Sequence, residues 1–284
     1  MVGARARTPE GALEIRADLT VGADGRHSVV REPAGLSVLN LGAPMDVLRM
    51  RLSRGPNDPA QTFGRFDTGK ILAFINRESY WQIAFVIPKG RAEEVRKQGL
   101  PAFCREVARL VPFLANKVNE LRDWDDIKLL TVAVDRLSRW YRPGRLCIGD
   151  AAHAMSPIGG VGTNLAIQDA VATANILGER LRQGTVNEGD LHVVQQRRTF
   201  PTRATQRMQL VVQNVVQNNV IRRVLGSTKP LRAPWPVKLL NRWTFLQRIP
   251  ARVIGVGFRP EHVKTPQARA PDPISPRSPQ SVRS

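Results

Sequence analysis

Residues 145–170, RLCIGDAAHAMSPIGGVGTNLAIQDA, decide how the chain is interpreted. The segment opens with a short apolar run, 146–148, which predicts a β-strand, and the run breaks at Gly149. An acid, Asp150, follows the break, and the loop after it contains a proline and three glycines. Apolar residues then recur at helical spacing over 163–182, so the segment predicts a strand, a glycine-rich loop and a helix. Units of this kind often bind a polar ligand at the loop and at the helix N-terminus.

The residue types in this loop suit a flat ligand that carries negative charge. Glycines 159, 160 and 162 let the main chain approach such a ligand without Cβ clashes, and Pro157 fixes the loop backbone. The carboxylate of Asp150 is suited to accept hydrogen bonds from a ribose hydroxyl. Free N–H groups at the helix start favour an anion, since the helix dipole there is equivalent to roughly half a positive charge. A reduced flavin, an anion with its charge near N1 and O2, suits this site.

Apolar spacing predicts the elements around this segment. Residues 13–23 read as extended structure and end in the turn Asp24-Gly25, after which Ser28 is expected to cap a short helix. Short apolar runs over 46–88 predict four antiparallel strands, 91–114 predict a helix and 129–134 predict another strand. The helix over 163–182 is expected to bury one face, formed by Ile167, Ala170, Val171, Ala174, Leu177 and Leu181.

Composition indicates a globular protein and limits its setting. The 284 residues allow one large or two moderate domains, and 42% hydrophobic residues are enough to form a core. No apolar run has the length of a membrane span, and the N-terminus has no secretory signal pattern. Cys104 and Cys147 form neither a metal-ligand spacing nor a disulfide framework, so we expect a cytoplasmic protein.

The formal net charge of +19 is concentrated in the C-terminal third. From residue 180 to the end there are 19 basic and 4 acidic residues. A solvated basic surface with a disordered tail over 264–284 explains this excess, and attraction to an anionic membrane surface or an acidic partner is the alternative. No nucleic-acid-binding motif accompanies the charge, so nucleic acid is not an expected partner.

Two motifs carry a family resemblance: ADGRHSVVR at 23–31 and GDAAHAMSPIGGVGTNLAIQDA at 149–170. Together they resemble the para-hydroxybenzoate hydroxylase-like FAD-dependent monooxygenases, which include aromatic hydroxylases and ubiquinone-biosynthesis hydroxylases. The resemblance extends over about residues 10 to 262. It implies an α/β fold, in which a truncated, Rossmann-like FAD-binding domain contains an inserted antiparallel substrate sheet and is followed by C-terminal helices.

The resemblance also implies a domain layout. The FAD-binding domain would consist of 1–45 and 136–185, interrupted by the substrate-domain sheet and helix over 46–135. A C-terminal helical region would follow over 186–263, with a second long helix over 195–225 that is interrupted near Pro201.

The same resemblance assigns cofactor-binding roles to thirteen residues and leaves the catalytic residues unknown. Asp150, after Gly149, would bind the ribitol or ribose region of FAD, and Pro157 would lie beside the isoalloxazine edge. The main chain that would face the flavin pyrimidine comprises Gly159, Gly160, Val161, Gly162, Thr163 and Asn164. The residues that would support the FAD pyrophosphate, and that also bear on NAD(P)H, are Asp24, Gly25, Ser28 and Arg31.

The implied reaction is a flavin monooxygenation. NAD(P)H would reduce FAD, O2 would add to give a C4a-hydroperoxyflavin, and the distal oxygen would pass to an aromatic or quinone-like substrate. The flavin supplies the chemistry, while the protein orients it and excludes water. Because some relatives act on lipophilic quinone precursors at membranes, peripheral membrane contact is compatible with this reaction. The sequence leaves open the substrate, the choice of NADH or NADPH, and the oligomeric state.

One departure from the family pattern concerns the nucleotide-binding unit. Members of the family begin with a strand, a GxGxxG turn and a helix that bind the ADP part of FAD, and this sequence has no such unit. The cluster Gly160-Val161-Gly162 lacks the third glycine, since Leu165 stands there. We therefore expect a truncated product, a wrongly set start, or a partner that supplies the other half. A non-catalytic remnant and a basic module for an anionic surface are the alternative functions.

Two sets of residues outside these roles allow two interpretations each. His153 has no second metal ligand spaced near it, so a hydrogen bond is expected rather than a metal, and His27 is treated in the same way. Tyr80, Trp81 and Phe85 could line a substrate pocket, but alternation along a strand makes ordinary sheet packing an equal alternative.

Overall fold

The computed structural model describes residues 3–67, 70–215 and 244–264. The strands are β1 (Gly3–Thr8), β2 (Gly11–Arg16), β3 (Thr20–Gly22), β4 (Val38–Asn40), β5 (Met45–Ser53), β6 (Phe63–Asp67), β7 (Lys70–Asn76), β8 (Tyr80–Pro88), β9 (Lys128–Leu130), β10 (Asp135–Leu137), β11 (Tyr141–Arg142) and β12 (Arg145–Cys147). The helices are α1 (Ala92–Lys97), α2 (Leu100–Leu110), α3 (Gly162–Arg182), α4 (Glu188–Val215) and α5 (Thr244–Gly255). The expected tail beyond Lys264 and the part of the second long helix beyond 215 lie outside the described residues.

A short parallel pairing brings the two sequence motifs together. Strand β12, which opens the second motif, pairs in parallel with β3, which precedes the first, and Leu146 lies opposite Val21. The N–H of Ile148 extends the pairing by donating to the carbonyl of Gly22 at 2.9 Å. Because parallel strands end at the same edge, the Asp24 turn and the Gly149 loop emerge side by side.

The inserted region is a five-stranded antiparallel sheet in the order β6-β7-β8-β5-β9. The four strands predicted over 46–88 are confirmed, and the fifth comes from the 129–134 region, where β9 is shorter and begins one residue earlier. Alternate residues of β5, β7 and β8 are buried against α1 and α2, as expected of a sheet covered on one face. The mixed α/β fold with this inserted sheet and C-terminal helices matches the sequence prediction.

The helix predicted over 91–114 divides into α1, α2 and a 3-10 turn. The chain breaks at Gly99, whose φ of 85° is a left-handed conformation, and Pro101 then stands in the first turn of α2. The predicted apolar positions Phe103, Val107 and Leu110 are all buried in the core beneath the sheet.

Of the three aromatic residues that could line a pocket or pack in the sheet, two pack in the core. Trp81 and Phe85 are buried, and the indole N–H of Trp81 donates to Asp58 at 2.8 Å. The ring of Phe85 packs against Phe103 of α2. Tyr80 points to the other face of the sheet, where the guanidinium of Arg51 lies 3.8 Å from its ring centroid.

The buried face predicted for α3 is mostly wrong. Ile167 and Leu181 are 58% and 42% exposed, and Ala170 and Ala174 are also exposed. The buried residues of the helix are Leu165, Asp169, Ala172, Thr173 and Leu177. Hydropathy alone selected the wrong side because an acid in the buried face, Asp169, is paired with a buried arginine of α4.

Two further predictions about helices are corrected. Residues 26–35 form a series of turns rather than a short helix, and Pro33 interrupts that segment without an N–H to continue a helical ladder. The second long helix, α4, begins at Glu188 and runs through Pro201 without interruption. Its buried residues on both sides of the proline, Arg198 and Thr202, hold the helix in place despite the lost backbone hydrogen bond.

A buried acid ties one end of the sheet to the loop that follows β9. Asp46 accepts hydrogen bonds from the Lys89 ammonium at 2.8 Å and from the N–H groups of Gly90 and Val132 at 2.9 and 3.0 Å. Burial alone would raise the pKa of Asp46, but the hydrogen bonds from Gly90, Lys89 and Val132 outweigh it, so the pKa lies below its ordinary value.

We predict that Asp46→Asn lowers the free energy of unfolding by about 2 kcal/mol or more at neutral pH, since it removes a buried charge with three donors. Because the folded-state pKa is lowered, this stabilisation is present above the ordinary carboxyl pKa and is lost as the pH falls below it. Urea unfolding at pH 7 and at about pH 3, below the ordinary value of 3.8, should therefore show the difference from wild type shrinking in acid.

The control is Glu93→Gln, which removes an exposed ion pair to Arg96 and should change stability by about 0.5 kcal/mol or less. If Asp46→Asn lowered the free energy of unfolding at pH 7 no more than the control does, the proposed role of Asp46 in holding the sheet to the loop after β9 would be contradicted.

Candidate functional site

A cavity of about 650 Å³ opens where β3 and β12 end and α3 begins. Its walls are largely main chain and small side chains from the two motifs, with a few larger residues at the rim. The lining residues are Ala23, Gly25, Arg26, Leu130, Val132, Ile148, Gly149, Asp150, Met155, Ser156, Pro157, Gly160, Gly162, Thr163, Ala166, Ile167 and Ala170.

The cavity brings together seven of the predicted site residues. They are Gly25, Gly149, Asp150, Pro157, Gly160, Gly162 and Thr163. The carboxylate of Asp150 lines the wall without an ion-pair or hydrogen-bond partner among residues 3–67, 70–215 and 244–264. An acceptor at the cavity wall is therefore available to a ligand hydroxyl.

Three of the predicted residues build the turn behind the cavity instead of lining it. Asp24 accepts hydrogen bonds from the N–H groups of Val29 and Val30, at 2.7 and 3.4 Å. The hydroxyl of Ser28 accepts from the N–H of Arg31 at 3.0 Å. Burial would raise the pKa of Asp24, but hydrogen bonds from Ser28 and from these backbone groups lower it below its ordinary value.

Arg31 also holds the turn rather than facing the cavity. Its guanidinium donates to the carbonyl of Arg26 at 2.6 Å, and Arg26 in turn donates to the carbonyl of Thr131 at 2.6 Å. Arg26 lines the cavity. The first motif is therefore a hydrogen-bonded turn. It places one cation, Arg26, at the cavity and connects it to the loop after β9.

The remaining three predicted residues lie at the margin of the site. Gly159 and Val161 do not line the cavity, and Val161 is buried beneath the start of α3. The amide of Asn164 donates to the carbonyl of Gly255 at 3.2 Å, so it faces the C-terminal end of α5. Gln168 and Asn175, on the same side of α3, likewise donate to the carbonyls of Val256 and His262.

The cavity suits the flavin part of FAD. Its wall presents the start of α3, a helix of 21 residues whose first N–H groups have no intrahelical acceptor and favour an anion. Gly160, with φ of 64°, has open space where a Cβ would lie, so the main chain itself borders the cavity. The carboxylate of Asp150 supplies an acceptor beside these donors.

A buried ionic cluster supports the loop from behind. Asp169 accepts from the N–H of Gly149 at 3.0 Å, from the His153 ring at 2.5 Å and from Arg198 at 2.8 Å. All three side chains are fully or almost fully buried. Burial would raise the pKa of Asp169, but the charges and hydrogen bonds of His153 and Arg198 outweigh it, so the pKa is lowered. The hydrogen bond expected of His153 is confirmed, whereas Asp169 and Arg198 were missed.

The protein-family comparison agrees with this geometry. The family described as FAD binding domain matches residues 2–208, which include both motifs and the inserted sheet. The chain belongs to this family.

Several curated relatives are named as monooxygenases or hydroxylases. The chain is 34% identical over 223 residues to 6-methylpretetramide 4-monooxygenase of Streptomyces rimosus, a match that covers 78% of this chain and 53% of that protein. It is 26% identical over 170 residues to 3-demethoxyubiquinol 3-hydroxylase of Escherichia coli, covering 59% of this chain and 42% of the relative. The chain thus spans about half the length of the curated relatives it matches.

A solved structure shows the same fold. PqsL, a probable FAD-dependent monooxygenase from Pseudomonas aeruginosa, superposes with a TM-score of 0.63 at 23% identity over 78% of this chain and 63% of that one. At this identity the likeness concerns the fold alone.

Ten of the lining residues had no role assigned from the sequence: eight lie within the quoted segments 23–31 and 145–170, and two lie in the inserted region. Arg26 lies inside the quoted ADGRHSVVR motif, and its cationic side chain beside an expected anion was a usable signal. Leu130 and Val132 reach the cavity because β9 closes the sheet beside β5, a long-range pairing that no local pattern reveals.

We predict that Gly149→Ala destabilises the fold by about 2–3 kcal/mol, because its φ is 57° and an added Cβ would lie 3.0 Å from the Cβ of Ala166. The matched control is Gly184→Ala, where φ is 65° but no atom lies within 4 Å of the added Cβ. The control should lose only the conformational part, about 1 kcal/mol. Equal losses in thermal or urea unfolding would show that the loop does not pack closely on α3.

We predict that Asp169→Asn lowers the free energy of unfolding by about 3 kcal/mol, because it removes the buried carboxylate that contacts both Arg198 and His153 and leaves Arg198 with only the longer ion pair to Glu261, at 3.6 Å. The matched control on the same helix is Glu179→Gln, an exposed acid paired with Arg182, which should cost about 0.5 kcal/mol or less. Urea unfolding checks both variants, and a loss for Asp169→Asn no larger than that of the control would refute the cluster's role.

Proposed function

We propose that this chain binds the flavin of FAD in the cavity and acts in an NAD(P)H-dependent monooxygenation of a small aromatic or quinone-like substrate. The observation that carries the proposal is the parallel pairing of β3 with β12, which brings both motifs to one cavity. Membership of the FAD-binding family and the similarity to named monooxygenases support it.

Different residues of the cavity would bind different parts of the cofactor. Asp150 would accept hydrogen bonds from ribityl or ribose hydroxyls, and the N–H groups at the start of α3 would face the pyrimidine edge, where negative charge is stabilised. Pro157 and Gly160 would border the ring system with main chain. When bound, the flavin supplies hydride acceptance from NAD(P)H and reaction with O2.

The inserted sheet would place the substrate over this cofactor. Leu130 and Val132 connect the sheet to the cavity wall, and most residues of β5, β7 and β8 that point away from α1 and α2 are less buried than those that point toward them. One relative is named for 6-methylpretetramide and PqsL has been solved in complex with 2-aminobenzoylacetate, and these two molecules support an aromatic substrate in our proposal.

We propose that the protein is located in the cytoplasm. Peripheral contact with an anionic membrane surface is compatible with this location. Both cysteines, Cys104 and Cys147, are free thiols, which suits a reducing compartment. The net charge of +19 favours an anionic surface. Among the helices of the described segments, none has the length and hydropathy needed to span a bilayer.

The test is flavin retention by the purified chain. After incubation with FAD and gel filtration, the wild-type chain should keep the flavin absorption bands, and Asp150→Ala should bind FAD about tenfold more weakly or worse, since a hydrogen-bond acceptor is lost. The control Asp18→Ala changes an exposed acid outside the cavity and should bind like wild type. A colourless wild-type protein, or equal binding by Asp150→Ala and wild type, would contradict the proposal.

A further inference from the structure

Three arginines lie close together where α4 packs against β10. The Nη1 of Arg136, in β10, donates to the side-chain oxygen of Gln206 in α4 at 3.1 Å. Arg203 lies three residues before this glutamine and Arg207 follows it directly, so these two arginines are one helical turn apart. Both of their side chains are exposed, whereas Arg136 is half-buried. The three side chains form the arginine cluster.

The arginine cluster is held together against electrostatic repulsion. Burial lowers the pKa of Arg136 below its ordinary value, and the positive charges of Arg203 and Arg207 lower it further. Like charges four residues apart on a helix, such as Arg203 and Arg207, also repel each other. A bound anion would remove this cost.

The protein itself supplies no anion for the cluster. In the part of the chain that the structure describes, none of the three arginines forms an ion pair, and Gln206 is the one acceptor that they contact. The Nε of Arg136 is buried without an acceptor. The neighbouring acid, Asp135, follows the other face of β10, where its carboxylate lies 4.0 Å from Arg31. The positive charge of the cluster is therefore uncompensated among the described residues.

The cluster lies apart from the flavin cavity. None of the three arginines lines that cavity. Gln206 connects the two regions, because its amide donates to the carbonyl of Ala154 at 3.2 Å, directly before the cavity residue Met155. An anion at the cluster would therefore be a second ligand, bound beside the flavin loop and outside the flavin cavity.

Exposed apolar side chains border the cluster on two sides. Leu39 of β4 lies directly opposite Arg136 in the strand register and is 45% exposed. Val211, one helical turn after Arg207 on the same side of α4, is 60% exposed. Charge and apolar surface placed side by side suit a ligand that joins an anionic group to a hydrocarbon chain.

We infer that Arg136, Arg203 and Arg207 bind a phosphate group. A phosphate monoester carries close to two negative charges at neutral pH, so it matches a triply positive cluster better than a singly charged anion does. The planar fork of a guanidinium donates two parallel hydrogen bonds to one phosphate. A lipid and a small soluble compound can present the same phosphate, and the bordering Leu39 and Val211 favour the lipid. The inference goes beyond the proposed function and does not depend on flavin binding.

The experiment is titration calorimetry of the purified full chain with three soluble probes. They are dihexanoyl phosphatidic acid, dihexanoyl phosphatidylcholine, which has the same chains and no net charge, and inorganic phosphate. Wild type should bind the phosphatidic acid more tightly than the phosphatidylcholine. Arg203→Gln and Arg207→Gln change exposed side chains that the fold does not need, and each should weaken phosphatidic acid binding about tenfold, because a charge-assisted contact is lost.

The matched control is Arg105→Gln, which changes an exposed arginine of α2 and should bind every probe like wild type. Inorganic phosphate identifies the source. Tighter binding of phosphatidic acid than of inorganic phosphate supports a lipid, and equal binding of the two supports a soluble phosphate compound, provided that the α4 variants weaken it. Equal binding of phosphatidic acid and phosphatidylcholine, no binding of any probe, or an equal loss in Arg105→Gln and Arg203→Gln would overturn the inference.

Flavin retention, measured in parallel, keeps this inference separate from the proposed function. A chain that retains FAD but does not bind phosphatidic acid or phosphate refutes only the arginine cluster as a phosphate site. A colourless chain that binds phosphatidic acid through Arg203 and Arg207 refutes only the proposed function.

Discussion

The parallel pairing between β3 and β12 is the constraint on which the rest of the site depends. The two strands are each three residues long, yet they align the ends of segments more than 120 residues apart in sequence. The turn after β3 and the loop after β12 then share one edge, which is where ligands bind in sheets of this type. Without this register, Arg26 and Asp150 would not line the same cavity.

So short a pairing needs support from elsewhere, and the Asp169 cluster provides it. Its carboxylate holds the N–H of Gly149 at the start of the loop and Arg198 of the long C-terminal helix. A buried ionic cluster is a weak source of net stability but is costly to break, so it favours one arrangement over its alternatives. Here it fixes the position of the loop relative to both helices, and thereby the position of Asp150.

The sequence predicted what depends on local pattern and missed what depends on distant pairing. The four strands over 46–88 and the loop preceding α3 were predictable, since alternation and glycine spacing are local signals. The buried face of α3 was predicted wrongly because hydropathy treats Asp169 as a surface residue, whereas Arg198, 29 residues away, makes its burial possible. Leu130 and Val132 line the cavity because β9 pairs with β5, and a short stretch of sequence does not indicate this long-range pairing.

A second ionic tie joins the sheet to the cavity. Asp46 binds the N–H of Val132, and Lys89 donates to the carbonyl of the same residue at 2.6 Å, while Val132 itself lines the cavity. The inserted sheet is therefore held next to the cavity wall by the ion pair between Lys89 and Asp46, at the end of β5 and β8. The oxygen transfer proposed for this chain would require such a fixed distance, since a displacement of about 1 Å is enough to slow a reaction strongly. The chain thus uses one buried acid, Asp169, to orient the loop after β12 and another, Asp46, to orient the inserted sheet beside the cavity.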